Sequence, residues 1–141
     1  LPAWTFIETV MVLGIIMILT GAAAVSAGQY LSKARRVTAE TTMKTLTVAL
    51  DSYLFDCGTY PTGTQGLQAL WEKPSTAPMP ECWLGPYIAD PVVRDPWGNP
   101  YMYAITPGNQ KTGSLKYTLT CYGADGYPGG EGFNEDITLS R

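Results

Sequence analysis

The sequence predicts an α+β chain: one long N-terminal helix, transmembrane and then amphipathic, packed on a small antiparallel sheet with long ordered loops. Three observations predict it. A run of 24 uncharged residues separates Glu8 from Lys33. Apolar residues then recur at three- and four-residue spacing as far as Leu54. Beyond Gly58 the helical period stops, and two short alternating segments rich in Tyr and Thr stand among many prolines and glycines. With 141 residues the chain has the length of one ordinary domain.

The apolar run, residues 9–31, has no Pro and is long enough to span a bilayer as a helix. A secretory signal peptide would need a basic segment ahead of a shorter apolar core. Here an acid, Glu8, stands at the mouth of the run instead. Gly14, Gly21 and Gly28 fall seven residues apart, on one helix face. Small residues on one face let helices approach closely in lipid. Chance gives the same spacing as readily, since glycine is common in membrane helices. A carboxylate within a bilayer costs about 2.5–3.5 kcal/mol and usually has a partner. No basic side chain lies within a turn or two of Glu8. Its partner is the chain's own amino terminus, another subunit or the membrane surface, and composition alone favours a plain interfacial acid.

Lys33, Arg35 and Arg36 close the run, a flank that by charge alone belongs in the cytoplasm. Met43, Leu46, Leu50 and Tyr53 continue the helical stripe, Gly58 is its natural C-cap, and Pro61 follows. One helix over residues 4–57 is therefore predicted. A short helix at 65–72, strands at 101–105 and 116–122, and a turn at 108–114 complete the elements. Trp71, Trp97 and Tyr101 read as core packing beside Pro and Gly.

Residues 123–137 read GADGYPGGEGFNEDI and hold Asp125, Glu131, Glu135 and Asp136. Oxygen ligands on a flexible loop suit Ca²⁺, but the spacing is not that of an EF-hand. Chemistry alone favours a solvated acidic loop. Cys57, Cys82 and Cys121 form no C-x-x-C pair. Outside the cytoplasm Cys57 and Cys82, which flank the Pro-rich stretch, are the first pairing; three buried thiols are a nearly equal reading.

The net charge of −3 disfavours nucleic acid as a partner. The absence of His excludes a His-based triad and the commonest zinc sites. No nucleophile–base pair is visible, so an enzyme is not expected.

Trp4-Thr5-Phe6-Ile7-Glu8 followed by an apolar run resembles the N-terminus of type IV pilins and pseudopilins. YLFDCGTYPTGTQGLQAL at 53–70, WEKP at 71–74, Gly85-Pro86-Tyr87, DPWGNPY at 95–101 and residues 122–137 resemble the major pseudopilins of type II secretion systems. The resemblance covers nearly the whole chain, and it implies a pilin-like fold.

It also implies a single-pass inner-membrane subunit with its body in the periplasm, against the simple reading of the basic flank. Residues 1–31 are then the transmembrane and assembly half of the helix and 32–57 its amphipathic half. Residues 58–141 are a periplasmic region ending in a calcium loop. Prepilin peptidase would cleave between Ala3 and Trp4 and methylate Trp4. Ala3 stands where the family usually has Gly, and Leu1-Pro2-Ala3 remain as a leader remnant, a scar or an extension. Glu8 would pair with a neighbour's amino terminus. Val25 stands where members often have a helix-bending Pro, and Gly21 and Gly28 supply the same weakness.

Calcium would take the Asp125 and Asp136 side chains and the Tyr122 and Tyr127 carbonyls, with Glu135 replacing or joining Asp136. The roles of Glu131 and Asn134 stay open. The implied function is a helical periplasmic filament that drives folded proteins out of the cell. Its implied partners are copies of itself, minor pseudopilins, the inner-membrane assembly platform with its ATPase, the outer-membrane secretin and, before assembly, lipid. The alternatives are a type IV pilin for adhesion, motility or DNA uptake, and an anchored calcium-dependent binding module acting alone.

Overall fold

The computed structural model describes residues 5–91, 93–106 and 116–141, with the side chains of residues 22–27 set aside. Helix α1 spans Phe6–Cys57. It starts later than Trp4, the predicted first residue, because Thr5 is not helical and instead accepts the first bonds, from Glu8 N and Thr9 N at 3.0 and 3.3 Å. Trp4 and Ala3 lie outside the described residues. Glu8 occupies the first turn, where the helix dipole favours a carboxylate. At the other end Gly58 takes φ +75° and donates to Leu54 O at 2.8 Å, the left-handed cap its sequence position predicts.

Contacts divide the chain into two units, Leu1–Ala34 and Arg35–Arg141. In the first, the large apolar side chains Phe6, Ile7, Met11, Leu13, Met17, Ile18 and Leu19 are all exposed. Nothing approaches within 4 Å of where a Cβ would stand on Gly14, Gly21 or Gly28. Among the described residues no helix is long and apolar enough to cross a membrane. The run 9–31 includes the positions whose side chains are set aside.

In the second unit α1 turns one stripe inward: Ala39, Met43, Leu46, Ala49, Leu50 and Tyr53 are buried. Steps of three and four keep them on one face. The sequence reading found this stripe but not its two alanines. Threonines 41, 42, 45 and 47 satisfy themselves by donating to the carbonyl four residues back.

The stripe belongs to one core with Tyr60, Leu70, Tyr101, Tyr117, Leu119, Cys121 and Ile137. Strands β1 (Met102–Thr106), β2 (Lys116–Cys121) and β3 (Ile137–Ser140) form an antiparallel sheet in that order. Leu119 faces Tyr103 on one side and Leu139 on the other. Period-two alternation turns Tyr117, Leu119 and Cys121 of the central strand inward. The predicted turn at 108–114 lies outside the described residues. Strand β3 was not predicted; four residues after a glycine-rich stretch carry too short a pattern.

The helix predicted at 65–72 is a short 3₁₀ helix, Gly66–Leu70. Gly66 sits at φ +58°, outside the α region, so an α-helix cannot start there. The loop is held instead by buried Gln65, whose Nε2 donates to Thr76 O at 2.9 Å and Pro78 O at 3.0 Å. Trp83 Nε1 also donates to Ala69 O at 3.0 Å. Of the three aromatics read as core, Tyr101 is buried, while Trp71 and Trp97 are half-buried.

Burial also sets a limit on alkaline stability. It raises the Cys121 thiol from 9.0 to about 11, helped by Asp95, and the Tyr53 and Tyr101 hydroxyls from 10.0 to about 12. These groups must stay protonated to stay inside. Below pH 9 both states hold the protons and stability is flat. Between pH 9 and 12 the unfolded chain loses them first, so stability falls as pH rises. Denaturant melts at pH 8 and 10.5 should differ by roughly 1–3 kcal/mol. Equal midpoints would contradict this account.

Candidate functional site

The C-terminal loop is built by glycine. Gly123, Gly126, Gly129, Gly130 and Gly132 all have positive φ, and two of them have no room for a side chain. A Cβ on Gly130 would lie 2.6 Å from Asn134 O, and one on Gly123 would lie 2.9 Å from Asn134 C. The incoming and outgoing limbs of the loop cross there. Ala124 N donates to Phe133 O at 3.3 Å and closes the crossing. A 3₁₀ turn, Gly132–Asn134, lies just before the crossing ends.

The turn at residues 95–99 supports the loop from below. Asp95 is buried, and its Oδ1 accepts from Trp97 N at 3.0 Å and Asn99 N at 2.7 Å. Its Oδ2 accepts from Cys121 Sγ at 3.3 Å. Asn99 Nδ2 then donates to Gly123 O at 3.3 Å. One carboxylate thus joins the turn, the central strand and the loop. Asp followed by Gly and Asn is a turn signature, but the link to Cys121 needs the fold.

The predicted calcium residues are placed as follows. Asp136 is half-buried; its Oδ2 accepts from Gly129 N at 2.9 Å, while its Oδ1 is buried without a hydrogen-bond partner. Asp125 is exposed, and its Oδ1 accepts from Tyr127 N at 3.2 Å. Among the described hydrogen bonds none uses the carbonyl of Tyr122 or Tyr127. Glu135 is exposed, and its Oε2 lies 3.0 Å from Arg36 Nη1. Glu131 is exposed, and Asn134 contributes its backbone to the crossing. Among the described residues no three acidic or thiol side chains gather into a metal cluster. Calcium sites draw many of their oxygens from carbonyls, so that count is not decisive. A buried carboxylate oxygen with no donor fits a cation. The loop's residues are therefore compatible with Ca²⁺.

Arg36 was read only as part of the basic flank. Its guanidinium donates to Gly132 O at 3.2 Å, pairs with Glu135 and lies 3.6 Å from Glu40 one turn on. It fastens the loop to α1. Arg141 does the same for the end of the sheet by pairing with Asp51, which also accepts from the Tyr60 hydroxyl at 3.2 Å. Glu8 has no ion-pair partner among the described residues.

Residues 27–140 match the family model described as type II secretion system (T2SS), protein G. A type II secretion system core protein G of Vibrio cholerae is 40% identical over 135 residues, covering 95% of this chain and 88% of that one. The protein of the same name from Pseudomonas aeruginosa is 38% identical over 137 residues, covering 95% and 91%. The crystal structure of the major pseudopilin from the type 2 secretion system of enterohaemorrhagic Escherichia coli superposes with a TM-score of 0.59 at 34% identity. That match covers 75% of this chain and 86% of the other. On sequence and fold together, the chain belongs to the type II secretion system protein G family of major pseudopilins.

Proposed function

We propose that this chain is the repeating subunit of a type II secretion pseudopilus. It is a structural component of that machinery and not an enzyme. It waits in the inner membrane as a single-pass protein with its body in the periplasm, then polymerises into a helical filament that drives folded proteins through the outer membrane.

The observation that carries the reading is the exposed apolar half of α1. Large hydrophobic side chains from Phe6 to Leu19 stand uncovered on every side of the helix. An uncovered apolar surface of that extent calls for lipid or for other protein. Lipid serves before assembly, and the same surface of neighbouring copies serves after it. Gly14 and Gly21, with open space at their Cβ positions, let those helices close on one another. A contact that joins two different surfaces of identical subunits makes a helical filament when its rotation does not close into a ring.

Glu8 supports the same reading, since a carboxylate among apolar side chains needs a cation. The amino terminus of the next subunit, at Trp4 once prepilin peptidase has cut after Ala3 and methylated it, supplies one. Minor pseudopilins, the assembly platform with its ATPase and the outer-membrane secretin are the partners such a filament requires. Calcium in the C-terminal loop would take Asp136 and Asp125 with the carbonyls of Tyr122 and Tyr127. Its contribution is to neutralise those oxygens and lock the loop.

The test is a deletion strain. Its culture supernatant should lose folded exoproteins while surface pili and DNA uptake stay normal, and the gene in trans should restore them. Normal secretion with lost pili or uptake would move the chain to type IV pilus assembly.

A further inference from the structure

Cys57 ends α1 and lines a cavity of about 400 Å³ whose other walls include Tyr53, Gln65, Pro78, Met79 and Glu81. Cys82 follows Glu81 directly in the chain. Cys82 is exposed and Cys57 half-buried, whereas Cys121 is buried against Asp95. This corrects the reading of three buried thiols.

The segment holding Cys82 is tied to the end of α1 through Tyr87. Leu84 N donates to the Tyr87 hydroxyl at 3.1 Å, and that hydroxyl donates to Asp56 Oδ2 at 2.8 Å. Asp56 is next to Cys57 in sequence. Trp83 and Tyr53 pack edge-on against Tyr87, with ring centroids 5.8 and 5.7 Å away. Cys82 lies two residues before Leu84, so the Tyr87 hydroxyl bridges the stretch that carries Cys82 and the turn of α1 that carries Cys57. Among the described residues neither Glu81 nor Cys82 makes a side-chain hydrogen bond or ion pair, so neither side chain must break one for Cys82 to react.

We propose that Cys57 and Cys82 form a cross-linking site, closed by a disulfide-containing oxidant into an intramolecular bond that fastens residues 58–82 to the end of α1. The exposed Cys82 thiolate attacks the oxidant R–S–S–R, forming Cys82–S–S–R and releasing one R–S⁻, which is protonated to R–SH. The Cys57 thiol gives its proton to solvent, and its sulfur attacks Cys82 Sγ. The second R–S⁻ leaves and is protonated. The protein loses two hydrogens and is oxidised; the oxidant is reduced to two thiols. Cys57 is the slower partner, because burial holds its thiol above its ordinary value.

The experiment treats the full-length chain in detergent with oxidised glutathione, blocks remaining thiols and maps peptides without reduction. One linked pair containing Cys57 and Cys82 is expected, with Cys121 recovered as a free thiol. The melting temperature should rise by about 5–15 °C, as closing a loop of this length predicts, and fall back on reduction. Cys82→Ser, given the same treatment, should keep the reduced protein's melting temperature. A stable glutathione adduct on Cys82 beside a free Cys57 would overturn the proposal. So would a Cys82–Cys82 link between chains, or a bond through Cys121.

Discussion

Removing calcium from the purified chain should lower its melting temperature by roughly 5–10 °C, and Asp136→Ala should abolish that difference. The Asp136 carboxylate has one oxygen tied to Gly129 N and the other buried without a donor. A ligand that binds only the folded state at a hundred times its dissociation constant stabilises it by about 2.7 kcal/mol. Without the metal the uncompensated oxygen opposes closure of the loop. Asp125→Ala should weaken the response less, because Asp125 is exposed and part of its carboxylate caps the local turn. Calorimetric titration of calcium into each variant separates lost binding from lost folding. Melting curves unmoved by chelator would remove calcium from the account.

Glu8→Ala should reduce assembled filament at least tenfold while leaving the amount of membrane-held subunit unchanged. In the single chain Glu8 has no ion-pair partner among the described residues, so its removal costs the monomer little. In the filament it would be the anion that neutralises a neighbour's amino terminus. An uncompensated charge in that setting costs about 2.5–3.5 kcal/mol, enough to lower each addition step by two orders of magnitude. Glu8→Gln keeps shape and hydrogen bonding but not charge, and should fail nearly as badly. Shear fractions and electron microscopy of cells overproducing the subunit give the readout. Wild-type filament yield from either variant would sink the pairing.

The amphipathic half of α1 was legible because Met43, Leu46, Leu50 and Tyr53 repeat with the helix period and Gly58 ends it. Strands β1 and β2 were legible to within one residue at every end, since their alternation is long enough to register. Strand β3 was not: its pairing with β2 supplies what its four residues lack. The acids of the C-terminal loop were found by composition, and their calcium role came from resemblance. What composition cannot show is which acid is already engaged. Glu135 pairs with Arg36, and Asp125 caps its own turn. Asp95 and Arg36 act through contacts with residues far away in the chain, and local pattern holds no trace of such partners. Family motifs did mark the stretch around Asp95, without saying what it does there.

The two arginine clamps have a consequence for how the body comes together. Arg36 meets Gly132 across 96 positions, and Asp51 meets Arg141 across 90. Contacts of such separation form late, because the intervening chain must first be gathered. A chain delivered from its amino end presents the stripe at residues 39–53 long before its covering strands arrive. Order of arrival and order of locking therefore run in opposite directions. The stretch at residues 132–141 emerges long after the helix onto which it latches, and the folded unit becomes rigid only once that stretch has arrived.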